Sequence, residues 1–136
     1  LEQGSGHVYN MEGFGSDGRL RAGLSVYGTT KAAVHYLTQS LARELRSTPV
    51  KVSSLSPGMV MTRFILDQYR DDPEGLERAK PIFNTIADRP ETVAPWLARR
   101  VLSNTKSGRV IKWLTAPKIF WRFATGWMRT RDLFSG

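Results

Sequence analysis

The sequence has no cysteine and only two histidines, His7 and His35. Without thiols there are no disulfides and no thiolate zinc sites, and two histidines this far apart supply no metal-ligand spacing. No metal is therefore expected. No run approaches the roughly 20 apolar residues of a membrane-spanning helix. Internal repeats and low-complexity tracts are also missing, so solenoid and linker-like architectures are excluded. Acidic residues are outnumbered, 12 against 20 basic ones, giving a formal charge of +8. A basic surface suits nucleic acid, anionic lipid or a phosphorylated cofactor, and charge alone does not choose between them. An initial methionine is lacking too, and the first recognisable element, GHVYNM, begins almost at once. The chain therefore reads as a fragment cut just before a strand, and a core built to pack on absent strands is expected to leave an apolar face exposed.

What is present fits one domain of 136 residues with an ordinary soluble core. Residues 6 to 11 read as a short buried strand. The next segment, 12 to 23, carries Gly13, Gly15, Gly18 and Gly23 with Ser16 and Asp17, which is loop chemistry. The strongest helix runs from about Tyr27 to Arg46, with Val34, Leu37, Leu41 and Leu45 at helical spacing, and Thr48-Pro49 ends it. Residues 50 to 56 read as a strand stopped by Pro57-Gly58. Asp72-Pro73-Glu74 and Arg89-Pro90-Glu91 look like helix starts with proline in the first turn. A last strand is expected over 109 to 114, and a terminal helix from Pro117 to about Arg129. Strand and helix alternate as in a parallel α/β sheet.

Tyr27 and Lys31 stand four apart at the start of the long helix, so both side chains project from one face. A free phenol, with a pKa of about 10, is a poor acid or base at neutral pH, and a neighbouring ammonium favours its anion. Such a pair can protonate a carbonyl oxygen while hydride reaches its carbon. Alone, the spacing is also that of a helix start with a surface lysine.

The order of motifs narrows the choice. The run VYGTTKAAVHYLTQSLAREL, a strand, and then SPGMVMT resemble the short-chain dehydrogenase/reductase family, as do GHVYNM before them and PETVA with its helix, glycine turn and strand after them. The resemblance implies the C-terminal part of a doubly wound, Rossmann-type domain, lacking its N-terminal cofactor-binding half. Residues 1–114 would be the catalytic half and 115–136 a basic, aromatic extension. It implies Tyr27 as acid/base and Lys31 as its electrostatic partner and a ribose contact. Pro57, Gly58, Met59, Val60 and Thr62 would line the nicotinamide end of NAD(P)H, with NADPH slightly preferred. The family also places a serine before the tyrosine, at the end of the strand. Here that position holds Gly13 or Phe14, depending on a gap, and Ser16 is the nearest hydroxyl for the substrate carbonyl; otherwise it is a turn serine.

Within the family, GHVYNMEGFGSDG, SPGMVMT and NTIADRPETVAPWLARRV with its WLTAPKI continuation are similar to the chlorophyll(ide) b reductase group, which implies reduction of a formyl group on a lipophilic pigment. A short-chain reductase of another lipophilic substrate is the nearer alternative. The tail suits either, since Lys118, Arg122, Thr125 and Arg129 form one stripe in helical register while Phe120, Phe123 and Trp127 lie on another. A segment of that kind sits at a membrane interface, or packs its aromatics on the protein. The expected partners are a small carbonyl substrate, a second copy of the complete chain and a membrane surface, with no nucleic acid. The expected location is the cytoplasm, or the thylakoid surface of a plastid on the chlorophyll reading. The competing class is a non-catalytic module whose basic aromatic tail docks on membrane or nucleic acid. Residues 63 to 89 would form a substrate lid, where Ile65, Leu66, Ile82 and Phe83 face an apolar substrate or simply pack.

Overall fold

A computed structural model of the chain describes residues 3–126 and 131–134. Strands and helices alternate: β1 (Gly6–Met11), α1 (Ser25–Glu44), β2 (Val50–Ser56), α2 (Arg63–Asp67), α3 (Pro73–Ile86), α4 (Pro90–Ser103), β3 (Val110–Lys112) and α5 (Ala116–Ala124). The strands form one parallel sheet in the order β1-β2-β3, with Met11 opposite Leu55 and Leu55 opposite Ile111. Parallel neighbours need long crossovers, and the helices between them supply these. The fold is the Rossmann-type α/β arrangement.

The chain divides into two compact units. One holds the residues up to Pro57 together with Leu97–Lys112; the other holds Gly58–Trp96 and the residues from Trp113 onward. In the first, β2 is the middle strand and its Val52, Ser53 and Ser54 are buried. Ser107 and Gly108 fasten the turn before β3 to the strand through Val52, with Gly108 N donating to Val52 O at 2.7 Å. Tyr9 on β1 donates its hydroxyl to Val101 O and accepts from Asn104 Nδ2 at 3.0 Å. Val8 and Met11, on the same strand, are about half exposed.

The helix α1 starts at Ser25 and its sheet-facing centre is polar. Thr38 is fully buried, whereas Leu37, one of the expected apolar positions, is half exposed. Burial of a hydroxyl is tolerated when it is bonded, and Thr38 Oγ1 donates to Val34 O at 2.7 Å while accepting from Asn10 Nδ2 at 2.9 Å. At the other end of the chain the expected strand over 109 to 114 is shorter. Trp113 lies outside the ladder and belongs, with Asp88, to the second unit, where its indole N–H donates to that carboxylate at 2.6 Å.

That second unit is organised by Asp88, only 3% exposed. Its carboxylate accepts from Trp113, from Arg122 at 2.8 and 2.9 Å and from Arg131 at 3.0 Å. Phe83 is buried beside Tyr69, edge to face at 5.9 Å between centroids, and beside Phe134. Within the expected lid, Phe83 is thus packing, whereas Leu66 and Ile82 are nearly half exposed. The short helix α2 has no clear apolar period and was not expected. In α5 the basic side chains turn inward: Lys118 lies over the Trp113 ring, 3.1 Å from its centroid, and Arg122 also donates to Ile86 O. Burial, and then the charge of Arg122, hold the Lys118 ammonium below its ordinary value. Phe120, Trp121 and Phe123 face outward. Trp127 and Arg129 of the expected tail pattern lie outside the described residues.

Candidate active site

Three structural elements of the first unit meet at the carboxyl end of β1: the strand end, the glycine-rich loop after it, and the opening turns of α1. Tyr27 is the third residue of α1 and Lys31 lies one turn on, so both project from the same face. The Lys31 ammonium is 5.7 Å from the centre of the Tyr27 ring, within cation–π reach, and donates to Met11 O at 3.2 Å. The carbonyl at the end of the strand therefore fixes the lysine beside the phenol.

The loop is shaped around the tyrosine. A Cβ on Gly13 would overlap the Tyr27 hydroxyl and come within 3.2 Å of the Lys31 side chain. Two residues later Gly15 has φ +97°, and a Cβ there would sit 2.7 Å from Gly28 Cα. Only glycine admits both that backbone conformation and that approach of the loop to the helix. Ser16 is buried in the same turn. Its Oγ accepts from Gly13 N at 3.1 Å and donates to Lys31 O at 3.2 Å. As placed, the hydroxyl closes the loop onto α1.

Behind these residues lies a pair that the sequence reading did not assign. Glu12 is buried, and its carboxylate accepts from His35 Nδ1 at 2.7 Å. The clue was available: Tyr27, Lys31 and His35 recur every four residues along one face of the helix. Read for metal ligands alone, His35 carried no signal. Among the described residues no three acidic or histidine side chains are grouped to hold a metal ion.

The remaining expected residues follow β2. Pro57 leaves that strand at the end at which Met11 leaves β1, because the two strands are parallel and in register. Gly58, Met59, Val60 and Thr62 belong to the second unit. There Met59 O accepts from Asp88 N at 3.0 Å, Val60 bridges to Asp88, and Thr62 O accepts from Ile65 N at the start of α2.

A nicotinamide riboside has hydroxyls that need hydrogen-bond partners and a carbonyl-reducing face that needs a proton donor nearby. The first unit provides matching groups. An ammonium has three N–H donors, and Met11 O accounts for one of them at Lys31. Tyr27, half-buried and next to that ammonium, supplies a phenol. Parallel α/β sheets bind ligands at the carboxyl ends of their strands, which is where these groups stand. The residues fit the cofactor's reactive end.

Comparison with known proteins identifies the family. The pattern described as short chain dehydrogenase matches residues 1–73. The probable chlorophyll(ide) b reductase NYC1, chloroplastic, of Oryza sativa subsp. japonica is 39% identical over 128 residues, covering 94% of this chain and 24% of the relative. The chlorophyll(ide) b reductase NOL, chloroplastic, of Arabidopsis thaliana is 36% identical, covering 93% of this chain and 38% of the relative. Among solved structures, the closed form of serine dehydrogenase complexed with NADP+ superposes with a TM-score of 0.65 at 27% identity, covering 85% of this chain and 46% of that one. The chain thus spans between a quarter and a half of the length of these proteins.

Proposed function

Because the chain belongs to the short chain dehydrogenase family, we propose that the protein containing it is an NAD(P)H-dependent reductase of an aldehyde or ketone, with the 7-formyl group of chlorophyll(ide) b as the substrate. The observation that carries the reading is the placement of Tyr27 and Lys31 together, the lysine tied to Met11 O and the tyrosine seated in the space left by Gly13. Bound there, the nicotinamide supplies hydride. Tyr27 gives its proton to the carbonyl oxygen. Lys31 steadies the negative charge that develops on the phenol and directs its remaining N–H donors to ribose hydroxyls. Pro57, Gly58, Met59, Val60 and Thr62 line the nicotinamide end on the family pattern, with NADPH the favoured form. Ser16 is the hydroxyl assigned to the substrate oxygen, and to reach it Ser16 must exchange its bond to Lys31 O.

The formyl-pigment assignment rests on likeness to the two plant reductases over more than nine-tenths of this chain. The outward aromatic face of α5 supports a lipophilic substrate. Phe120, Trp121 and Phe123 are each more than half exposed, as suits a helix lying at a lipid headgroup layer. Among the described residues no helix is long and apolar enough to cross a membrane, so contact through α5 would be peripheral. On this reading the enzyme works at a pigment-bearing membrane surface, the thylakoid where the host has plastids. Exposed Val26, Tyr36 and Leu37 on α1 support self-association of the full-length protein.

The deciding assay uses the full-length protein with NADPH and solubilised chlorophyllide b, following loss of the formyl-bearing pigment. Turnover that disappears in Tyr27→Phe is the expected result. Turnover of simple aldehydes but never of the pigment would keep the reductase and discard the substrate. No turnover of any carbonyl with either nicotinamide would leave the aromatic tail as a docking module. Sedimentation with anionic vesicles, lost on replacing Phe120, Trp121 and Phe123 by serine, tests the membrane contact.

A further inference from the structure

The end of β1 and the two residues after it meet α1 at four of its turns. Asn10 bonds Thr38 at 2.9 Å, Met11 O takes the Lys31 ammonium at 3.2 Å, and Glu12 takes His35 Nδ1 at 2.7 Å. Gly13 then lies against the Tyr27 hydroxyl. Just beyond the end of β1, the Glu12 N–H also donates to Leu55 O of β2 at 2.8 Å. Of these junctions, Glu12 to His35 alone pairs a buried carboxylate with an imidazole, and it immediately precedes the glycine that makes room for the phenol.

The two members are unequal in burial, the Glu12 side chain 4% exposed and that of His35 38%. A carboxylate enclosed to that degree requires hydrogen-bond donors, because the unpaired charge is costly to bury. His35 stands one turn beyond Lys31 on the same face of α1, so the donor that satisfies Glu12 is rigidly linked to the lysine and the tyrosine. Moving Glu12 moves the carbonyl of Met11 on one side and Cα of Gly13 on the other.

We propose that the Glu12–His35 pair is a positioning device for the acid/base pair: it holds the end of β1 at the height on α1 at which Met11 O meets Lys31 and Gly13 clears the Tyr27 hydroxyl. Neither residue touches the reacting atoms. The assignment rests on the reductase reading above for its catalytic consequence, but the positioning itself is a property of this chain and is measurable without turnover.

The test is 19F NMR of the full-length protein labelled with 3-fluorotyrosine, in which the Tyr27 signal is identified by its loss in Tyr27→Phe. His35→Ala removes a donor from a buried carboxylate and is expected to lower stability, so folding of each variant is checked first, and Glu12→Gln and His35→Gln, which leave no unpaired buried charge, keep the test readable. The Tyr27 signal should shift in His35→Ala and return close to its original place in His35→Gln, whose amide can again donate to Glu12. In the full-length enzyme kcat should fall about tenfold to hundredfold in His35→Ala and recover in His35→Gln. Glu12→Gln, which keeps the shape and removes the charge, should give a smaller shift in the same direction. An unmoved Tyr27 signal in folded His35→Ala and Glu12→Gln overturns the proposal. A shifted and rescued Tyr27 signal, together with unaltered turnover in Tyr27→Phe, would leave the positioning intact and defeat the reductase mechanism instead.

Discussion

Gly13 leaves vacant the volume into which the hydroxyl of Tyr27 projects: a Cβ at residue 13 would overlap that oxygen. The obstacle is the end of a ring on a helix, with Lys31 close behind, so relief requires the loop or the ring to tilt. Gly13→Ala should therefore destabilise the chain by about 1–3 kcal/mol. In the full-length protein it should lower kcat about tenfold or more, since displacement of a reacting group by a fraction of its own size is costly. Thermal unfolding and steady-state kinetics measure the two effects. A stable and fully active Gly13→Ala would mean that the phenol works from another position.

On the proposed mechanism Tyr27 and Lys31 divide their work differently, and variants should separate them. Tyr27→Phe removes the proton donor and keeps the ring, so turnover should fall by about 100-fold to 10,000-fold while affinity for NADPH stays nearly unchanged. Lys31→Met removes both the charge beside the phenol and the donors directed at ribose. It should weaken cofactor binding as well as turnover. Fluorescence titration with NADPH alongside kinetics distinguishes the cases, and a Lys31→Met protein altered in stability alone would make the lysine structural.

Gly15 and Gly28 face each other where the loop crosses α1, yet substitution should act in opposite directions. At Gly15 the backbone has φ +97° and an added Cβ would press on Gly28 Cα at 2.7 Å, so Gly15→Ala should cost about 1–3 kcal/mol. At Gly28 the same addition meets Gly15 Cα at an ordinary 4.0 Å, inside a helix. Gly28→Ala should gain about 0.5–1 kcal/mol from the restricted unfolded chain. Denaturant melts of the two variants decide whether the close approach is one-sided in this way.

These relationships show what could be read in advance. The sheet was legible because Gly6–Met11 is a short apolar-rich run and Val50–Ser56 lies between Pro49 and Pro57-Gly58. The juxtaposition of Tyr27 and Lys31 was legible because helical spacing puts both on one face, whereas the acid/base role proposed for them came from the resemblance to the family. The partners of that pair were not. Whether Met11 O or some other oxygen fixes Lys31 depends on the height at which α1 crosses β1, which is a tertiary quantity. The burial of Thr38 in place of Leu37 turns on a hydrogen bond from Asn10, 28 residues away. In the tail, helical register correctly separated Lys118 and Arg122 from Phe120 and Phe123. It gave no sign of which side faced the protein, because that was decided by a single distant carboxylate, Asp88.

Asp88 also gives the second unit a dependence on pH. Burial by itself raises the carboxyl, but the bonds from Trp113 and Arg122, the charge of Arg122 and the bond from Arg131 outweigh it and hold Asp88 below its ordinary value of 3.8. A group depressed on folding stabilises the fold fully above its unfolded value, and the contribution is lost as pH falls through the lower, folded one. The melting temperature should therefore hold down to about pH 4 with respect to this group and decline below it. In Asp88→Asn the charge is gone at every pH, leaving Arg122 and Arg131 without their shared carboxylate. That variant should be less stable by about 3 kcal/mol at neutral pH, with a shallower acid decline. Melting curves of both proteins between pH 7 and pH 2 provide the comparison. Parallel curves would remove Asp88 as the origin of the acid dependence and would place the docking of α5 on its apolar contacts instead.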